Sequence, residues 1–383
     1  MLQDKIVSFR RILHQYPELS NKEYGTCKRI KEVLCKYSIE PDSFSEPAVI
    51  ATLNGGKGNG PSIAIRADMD ALPIKERSGV EYASLNPGVM HACGHDAHTA
   101  MAVGALLLLK EHLHELRGSV RFIFQPSEEK HPGGAQKLIA EGVLENPKIN
   151  AIFAHHVQAH IEVGHMGVKK GAFMASSAEF TLIIKGKSGH AAHPQRGIDS
   201  IVIAAQVIMA LQTISSRLTA PTIPVVLSIC KIEGGTKANI LAGEVIMKGT
   251  TRVLDEEVRK KVHSQMYDIV ENITRIYGAE FSLQFEEGYP VVRNDAVLTD
   301  VVKSAGEKIL GEDKVFEIES PSMGGEDFSR YQQYCPGVIT NLGCGNKKKG
   351  IIAPIHSDSF LIDEDCLTMG AAILAQVAYD FLS

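Results

Sequence analysis

Several side chains that can donate electron pairs to a metal ion are paired or closely spaced along the chain. They are Cys93 with His95 in a glycine-containing turn, the adjacent pairs Glu128–Glu129 and His155–His156, and, far along the chain, His356. Borderline-soft divalent metals bind imidazole nitrogen, thiolate sulfur and carboxylate oxygen. Because a metal held by such groups can activate a water molecule, these residue types are compatible with a hydrolytic metal site.

Each of these groups also has a plainer interpretation. A cysteine such as Cys93 is often a small buried hydrophobic residue, adjacent glutamates are usually solvated, and His356 could lie in a surface loop. Cys93 could also be a nucleophile that His95 or His98 activates. Residue types and spacing alone therefore leave a metal site, a thiol enzyme and a structural role open.

The elements around these residues indicate an α/β layer. Short apolar strands are predicted at 62–68, 120–125 and 149–154, and a long helix is predicted at 96–116. Strands that alternate with helices form a largely parallel sheet, and sites in such sheets gather at the carboxyl ends of the strands. The glutamate pair and the histidine pair each follow a predicted strand, so we expect them to converge.

The pattern changes after about residue 174. Residues 175–290 have the order strand–helix–strand–strand–helix–strand, which is that of a ferredoxin-like α+β unit. The segment 291–383 is too thin to form a core alone and is expected to rejoin residues 1–174. We therefore predict a catalytic domain of 1–174 and 291–383 with a smaller inserted domain of 175–290.

Composition restricts the classes of function. The 383 residues have a formal net charge of −5 and no long basic run, which argues against nucleic acid as a partner. The seven cysteines are odd in number and irregularly spaced, so a disulfide framework is not expected. No signal peptide is recognised at the N-terminus, and the apolar run 100–109 is too short to cross a bilayer. These features predict a cytoplasmic protein without a membrane partner.

The metal-type residues lie in motifs that resemble the M20 metallopeptidase family. The motifs are MHACGHDAH at 90–98, FQPSEE at 124–129, GHAAHP at 189–194, LHQYPELS at 13–20, RADMDALP at 66–73, GGEDF at 324–328 and IHS at 355–357. The resemblance spans essentially the whole chain. It is closest to the amidohydrolase branch, which includes hippurate hydrolases, N-acyl-amino-acid deacylases and N-acetyldiaminopimelate deacetylases. It implies a zinc-exopeptidase-like α/β catalytic domain with a mixed sheet and an inserted dimerisation, or lid, domain.

Carried over residue by residue, the resemblance implies a site for two divalent metal ions, which could be zinc, manganese, cobalt or nickel. The implied general base is Glu128, and the implied ligands are Cys93, His95, Glu129, His156 and His356. His156 is preferred to His155 because a valine follows the family ligand, and Val157 follows His156. Asp70 and Asp96 are candidates for orienting the ligand histidines, although each could instead be a capping or turn residue.

Further roles fall in the inserted domain. In the family, the histidine of the GHAA motif stabilises the reaction's oxyanion from the partner subunit. Here that residue is His190, so the resemblance implies a homodimer formed through the inserted domain. Asn239 and Arg252 match family positions that hold the substrate's carboxylate, a role that suits the forked donors of arginine. Both residues could also be structural.

The resemblance implies a metal-dependent amidohydrolase that cleaves the amide bond of N-acyl amino acids. The alternatives are a dipeptidase or carboxypeptidase of the same family, a thiol enzyme, and a binding protein without catalysis. Asp68 stands where the peptidase branches generally have a histidine, which favours the amidohydrolase. Glu129, His156 and His356 argue against a thiol enzyme, and the presence of Glu128 argues against loss of catalysis.

Overall fold

The computed structural model describes residues 2–383 and contains two compact units. The first unit comprises the residues up to Gly171 with Arg293–Ser320 and Asp327–Ser383. The second unit comprises Ala172–Val292 and Pro321–Glu326. The short segment 321–326, which the sequence analysis assigned to the catalytic domain, belongs to the second unit.

The elements are numbered in chain order. The helices are α1 (Leu2–Gln15), α2 (Tyr24–Lys36), α3 (His95–Glu111), α4 (Gly134–Ala140), α5 (Ser200–Thr213), α6 (Glu256–Tyr277), α7 (Ala296–Leu310), α8 (Phe328–Tyr331) and α9 (Asp365–Leu382). The strands are β1 (Val49–Asn54), β2 (Ser62–Asp68), β3 (Ser119–Gln125), β4 (Ala151–Glu162), β5 (Met166–Val168), β6 (Gly171–Met174), β7 (Ser176–Lys185), β8 (Val225–Gly234), β9 (Glu244–Val253), β10 (Glu280–Glu287), β11 (Val292–Asn294), β12 (Val315–Glu317) and β13 (Gly337–Gly345).

A seven-stranded mixed sheet forms the centre of the first unit, in the order β1-β3-β2-β4-β13-β5-β12. The inner strands β3, β2, β4 and β13 are parallel, whereas β1 pairs antiparallel with β3. Every residue of β2 and β3 is buried, as is typical of parallel strands covered on both faces. Helix α3 packs against α1 and α9. The predicted α/β class with a mixed sheet is confirmed.

Strand β4 leaves β2 partway along its length. The two strands pair only where Ile63–Ile65 lies beside Ala151–Phe153, and beyond that point β4 stays paired with β13. Strand β2 meanwhile continues beside β3 as far as Asp68. A gap therefore opens between the carboxyl end of β2 and the continuing β4.

The third strand does not end at residue 154, so its predicted boundary is wrong. Strand β4 runs to Glu162, so His155 and His156 lie within it rather than after it. The physical reason is the pairing with β13, which continues past both histidines as far as Gln158. Backbone hydrogen bonds from a neighbouring strand therefore extend β4 through a polar stretch.

The second unit contains a four-stranded antiparallel sheet in the order β10-β7-β9-β8. Counted from β7, the order is 4-1-3-2, which matches the ferredoxin-like arrangement expected from the sequence. Helices α5 and α6 pack on the sheet and on each other around a core of their own. Asp199 and Asp255 cap these helices by accepting hydrogen bonds from backbone N–H groups of the first turn.

Helix α5 leaves apolar side chains exposed. Ile201, Val202 and Met209 are 49%, 47% and 71% exposed. By length and composition, Ser200–Leu218 and Asp365–Leu382 are both apolar enough to cross a membrane, but the second is a core helix of the first unit. Strand β8 lies at one edge of the sheet in the same unit.

Gly94 shapes the start of α3. It lies at the N-cap position in a left-handed conformation with a φ of 83°. A Cβ atom added to it would lie 2.3 Å from Cγ2 of Val157 on β4. Glycine is therefore required here both by the backbone conformation and by the close approach to β4. Asp96, which the sequence suggested as a possible cap, lies inside the first turn of the helix instead.

We expect Gly94→Ala to lower the free energy of unfolding by about 2–4 kcal/mol. About 1 kcal/mol of this loss reflects the left-handed backbone, and the rest reflects the collision with Val157. Gly164→Ala is the matched control, because Gly164 also has a φ of 83° but nothing lies within 4 Å of the added Cβ. Urea unfolding followed by far-UV circular dichroism measures both variants. Equal losses would show that the approach to Val157 imposes no constraint.

Candidate metal centre

The five side chains implied as ligands all lie in the first unit, and the structure brings them together. Atoms of Cys93, His95 and His156 lie within 4.8 Å of one another, and so do atoms of Cys93, Glu129 and His356. Cys93 is common to both groups. Two groups of three donors that share a thiol would fit a site for two neighbouring metal ions.

The separations between donor atoms suit metal coordination. Sγ of Cys93 is 3.5 Å from Nε2 of His156, and Nε2 of His356 is 3.2 Å from Oε1 of Glu129. Nε2 of His95 is 4.0 Å from the same glutamate oxygen. Ligand atoms about 2.0–2.3 Å from a tetrahedral metal lie roughly 3.3–3.8 Å apart, and the Cys93–His156 and Glu129–His356 separations are close to that range.

Two of these donor atoms lack hydrogen bonds. Nε2 of His95 and Oε1 of Glu129 are buried and make no hydrogen bond of acceptable geometry within residues 2–383, although Oε1 lies 3.2 Å from Nε2 of His356. A buried polar atom without a partner is costly, by about 1–3 kcal/mol. A divalent cation would satisfy both atoms, so the residues present fit a metal.

His156 is oriented by its own strand. Its Nδ1 donates a hydrogen bond to the carbonyl oxygen of Val157 at 2.8 Å. Burial, followed by the charge of His98, lowers the pKa of His156 to about 3, so the ring is neutral near pH 7. With the proton on Nδ1, the lone pair on Nε2 is directed towards Cys93.

Asp70 connects two of the donors. Its Oδ1 accepts a hydrogen bond from Nδ1 of His95 at 3.1 Å, and its Oδ2 accepts one from the backbone N–H of Glu129 at 3.0 Å. The hydroxyl of Ser20 also donates to Oδ2, at 2.6 Å. Burial alone would raise the pKa of Asp70, but the hydrogen bonds from His95 and Ser20 outweigh it and lower the pKa.

Asp96 is held by other partners. Its carboxylate lies 2.7 Å from Nε of Arg10 and 2.7 Å from Nδ1 of His14, both buried. Burial raises the pKa of Asp96, but the positive charges of Arg10 and His14 outweigh it and hold the pKa well below its usual range. Of the two acids suggested to orient ligand histidines, the structure brings Asp70 to one and directs Asp96 to the Arg10–His14 pair.

A second acid–histidine pair, His98 with Asp68, was not predicted from the sequence. Nδ1 of His98 donates to Oδ1 of Asp68 at 2.6 Å, and Nε2 of His98 accepts a hydrogen bond from the backbone N–H of Val157 at 2.9 Å. Val157 lies on β4 beyond the point where β2 has left it, so His98 supplies the acceptor that β2 does not. A signal was present in the sequence, because His98 is three residues after His95 on one face of the same helix.

A buried arginine anchors this pair. The Arg66 guanidinium donates to Asp68 at 2.6 Å and to Asp327 at 2.7 Å. Burial raises the pKa of Asp68, but His95, His98 and Arg66 outweigh it, so the pKa lies well below its usual range. Asp68 is therefore a charged acceptor that fixes the ring of His98.

Glu128, the implied general base, lies beside the donor groups. Its side chain is 7% exposed, and one carboxylate oxygen lies within 4.8 Å of donor atoms of His95 and Glu129. A carboxylate in this position can reach a water molecule held by the same donors. Adjacent glutamates thus have different surroundings, since Glu129 also approaches His356.

The other implied residues lie in the second unit. His190 and Asn239 are exposed and lie on neighbouring segments, because the N–H of Ala191 donates to the carbonyl oxygen of Asn239 at 3.1 Å. Arg252 is the next-to-last residue of β9, whereas Asn239 precedes the first residue of that strand. The strand separates them by roughly 25 Å, at about 3.3 Å per residue. One protomer therefore does not bring Arg252 to the His190–Asn239 segment.

Comparison with known proteins gives relatives over the whole chain. Residues 64–380 match the family described as peptidase family M20/M25/M40. Thermostable carboxypeptidase 2 of Saccharolobus solfataricus is 41% identical, over 99% of this chain and 96% of its own length. N-acetylcysteine deacetylase of Bacillus subtilis is 39% identical, over 98% of this chain and 96% of its own length.

This chain is also similar to a solved structure. The Bacillus subtilis protein YXEP, described as a dinuclear metal binding peptidase from the M20 family, has a TM-score of 0.87 and 36% identity. The alignment covers 100% of this chain and 98% of that one. The fold, the convergent donors and these relatives agree, and the chain belongs to peptidase family M20/M25/M40.

Proposed function

We propose that this protein is a two-metal amidohydrolase that cleaves N-acyl amino acids into a carboxylate and a free amino acid. The observation that carries the proposal is the buried Glu128 carboxylate beside two donor groups that share Cys93. Similarity to a deacetylase and to a dinuclear metal binding peptidase supports the same reaction. A thiol enzyme would have no use for Glu129, His156 and His356 around its nucleophile.

In this proposal the two donor groups would hold the two ions. One group comprises Cys93, His95 and His156, and the other comprises Cys93, Glu129 and His356. Zinc, manganese, cobalt and nickel all accept this mixture of thiolate, imidazole and carboxylate, so the ligands do not select one metal. When bound, such ions lower the pKa of a water molecule towards neutrality and polarise the amide carbonyl.

The side chains of the protein then have separate tasks. The Glu128 carboxylate accepts the proton of the attacking water and delivers it to the nitrogen of the leaving amine. His190 donates a hydrogen bond to the carbonyl oxygen as negative charge develops on it, which stabilises the transition state. Asn239 and Arg252 bind the carboxylate of the amino acid.

The positions of His190, Asn239 and Arg252 support a homodimer. His190 and Asn239 lie roughly 25 Å of strand away from Arg252 in one protomer, which is too far for all three to contact one small substrate. A second copy removes this conflict, because it can bring its own His190 and Asn239 to a site whose Arg252 belongs to the first protomer. The exposed apolar side chains of α5 and the edge strand β8 provide a surface for such a dimer. A soluble, cytoplasmic dimer accounts for this apolar surface without a membrane.

The closest competing function is peptide hydrolysis, and the 41% identity to a carboxypeptidase favours testing it directly. We expect metal-free protein restored with zinc, manganese, cobalt or nickel to hydrolyse N-acetyl, N-benzoyl or longer N-acyl amino acids. We expect dipeptides and blocked peptides to be hydrolysed at least about tenfold less efficiently in kcat/KM, a difference of about 1.4 kcal/mol in transition-state binding. A preference for peptides would replace the amidohydrolase with a peptidase. Activity that survives chelation and is lost on thiol alkylation would instead identify Cys93 as a nucleophile.

Glu128→Gln should lower kcat by about 10²–10⁴-fold, because an amide cannot accept the proton of the attacking water. The protein should retain two metal ions, measured by elemental analysis after dialysis. The neighbouring variant Glu129→Gln is the matched control, because it replaces a proposed ligand and should lower the metal content. Unchanged kcat in Glu128→Gln, or loss of metal from it, would contradict the role of Glu128.

Two inactive variants should complement each other. Glu128→Gln and His190→Ala are each expected to be nearly inactive as homodimers. After subunit exchange at equal concentrations, half of the dimers are mixed, and each mixed dimer contains one site with both residues intact. About a quarter of the wild-type activity should therefore return. No recovery, despite mixed dimers observed by native mass spectrometry, would show that His190 serves its own subunit.

A further inference from the structure

Glu128 follows a residue with an unusual backbone conformation. Ser127 has a φ of 59°, in the left-handed region that non-glycine residues seldom adopt. Such a conformation costs of order 1–3 kcal/mol and persists only where the surroundings impose it. The direction in which Glu128 leaves the end of β3 depends on this turn.

Ser127 is held by all of its polar groups. Its backbone N–H donates to Oε1 of Glu23 at 2.8 Å, and Nδ2 of Asn21 donates to its hydroxyl at 2.9 Å. Its carbonyl oxygen accepts the backbone N–H of Gly134 at 2.9 Å. Glu23 and Asn21 lie just before α2, so a segment far away in sequence fixes the residue before the general base.

The residue after Glu128 is anchored in the same manner. The backbone N–H of Glu129 donates to Asp70 at 3.0 Å. The backbone N–H groups of both neighbours of Glu128 therefore donate to buried carboxylates, that of Ser127 to Glu23 and that of Glu129 to Asp70. Asp70 also holds a ligand histidine, whereas the other carboxylate oxygen of Glu23 is buried without a hydrogen-bond partner among residues 2–383.

Packing alone does not explain a carboxylate at position 23. Glu23 is fully buried, and burial, followed by the charge of Asp70, raises its pKa to about 7. A buried charged or half-charged group lowers stability unless it is paired and fully hydrogen-bonded, so a carboxylate at this position points to a role other than packing. A charged carboxylate oxygen is a stronger hydrogen-bond acceptor than a neutral oxygen. The carboxylate of Glu23 therefore holds the Ser127 N–H group more strongly.

We propose that Glu23 is a positioning residue for the proton-transfer step, acting through Ser127 to aim the Glu128 carboxylate. This inference rests on the proposed function of Glu128. Glu23 holds the Ser127 turn, the turn fixes the course of the backbone at 127–129, and that course fixes the position of the base relative to the donor groups. Loss of the anchor lets the base drift, and drift of about 1 Å lowers the rate of chemistry without changing substrate binding.

Glu23→Met removes the acceptor and the charge while keeping much of the volume, so the packing around position 23 changes little. We expect kcat to fall about 10–100-fold with KM and metal content unchanged. Glu23→Gln keeps an oxygen that can accept the Ser127 N–H, and it should recover kcat to within roughly threefold of the wild type. This rescue separates loss of the acceptor from loss of the charge.

Thr26→Ala is the matched control. Thr26 is buried in the first turn of α2 and its hydroxyl donates to Glu18 at 2.9 Å, so this variant weakens the same helix without touching Ser127. We expect lower thermal stability and unchanged kcat. An equal loss of kcat in Thr26→Ala and Glu23→Met would reduce Glu23 to a structural residue, as would a loss of metal or a change in KM alone.

Hydrogen exchange provides a readout that does not require turnover. The Ser127 amide should exchange faster in Glu23→Met than in the wild type, in Glu23→Gln or in Thr26→Ala, measured on a peptide spanning 124–134. Unchanged exchange at Ser127 would overturn the positioning role. If the wild type hydrolyses no N-acyl amino acid, the proposed function fails on its own, and the exchange result still decides whether Glu23 anchors the turn.

Discussion

The candidate metal centre depends on the separation of strand β4 from strand β2 beyond Phe153. Parallel strands that stay paired leave no room between them for side chains. The gap between these two strands is closed by His98 on α3, which bonds Asp68 at the end of β2 and the N–H of Val157 on β4. Without this acceptor the Val157 amide would be buried and unpaired, at a cost of about 1–3 kcal/mol.

The orientation of each ligand histidine is set by a hydrogen bond from the ring nitrogen that would not bind metal. Nδ1 of His95 donates to Asp70, and Nδ1 of His156 donates to the carbonyl oxygen of Val157, so both rings present Nε2 to the same region. These hydrogen bonds fix the tautomer and the ring plane of both histidines before a metal ion binds. The two rings are therefore oriented by different elements, the loop after β2 and the backbone of β4 itself.

The sequence predicted much of this structure, because strand and helix periodicity and short motifs are local properties. The strand and helix pattern predicted a largely parallel sheet and the order of the second unit, and the resemblance of the motifs implied the mixed sheet and the residues that converge at the centre. It did not predict that β4 continues through His155, since that extension depends on pairing with β13, a strand nearly 200 residues later. The His98–Asp68 pair and the partners of Asp96 were missed for the same reason. Several local roles were plausible for these residues, and tertiary contacts determine which one each residue has.

Charge balance gives an independent argument for cations at this centre. Buried acids near the centre outnumber the buried guanidinium groups of Arg10 and Arg66, and buried histidines whose pKa is raised, His14 and His95, offset part of the difference; the acids are Asp68, Asp70, Asp96, Glu128 and Asp327. A surplus of negative charge in a low-dielectric interior must be reduced by protonation or by cations. Protonation is already favoured at Glu23, whose pKa of about 7 follows partly from the charge of Asp70. Divalent ions among Cys93, Glu129 and the histidines would lower that cost in place of protons on the histidines, so the electrostatics of the fold are compatible with the ions that the proposed chemistry uses.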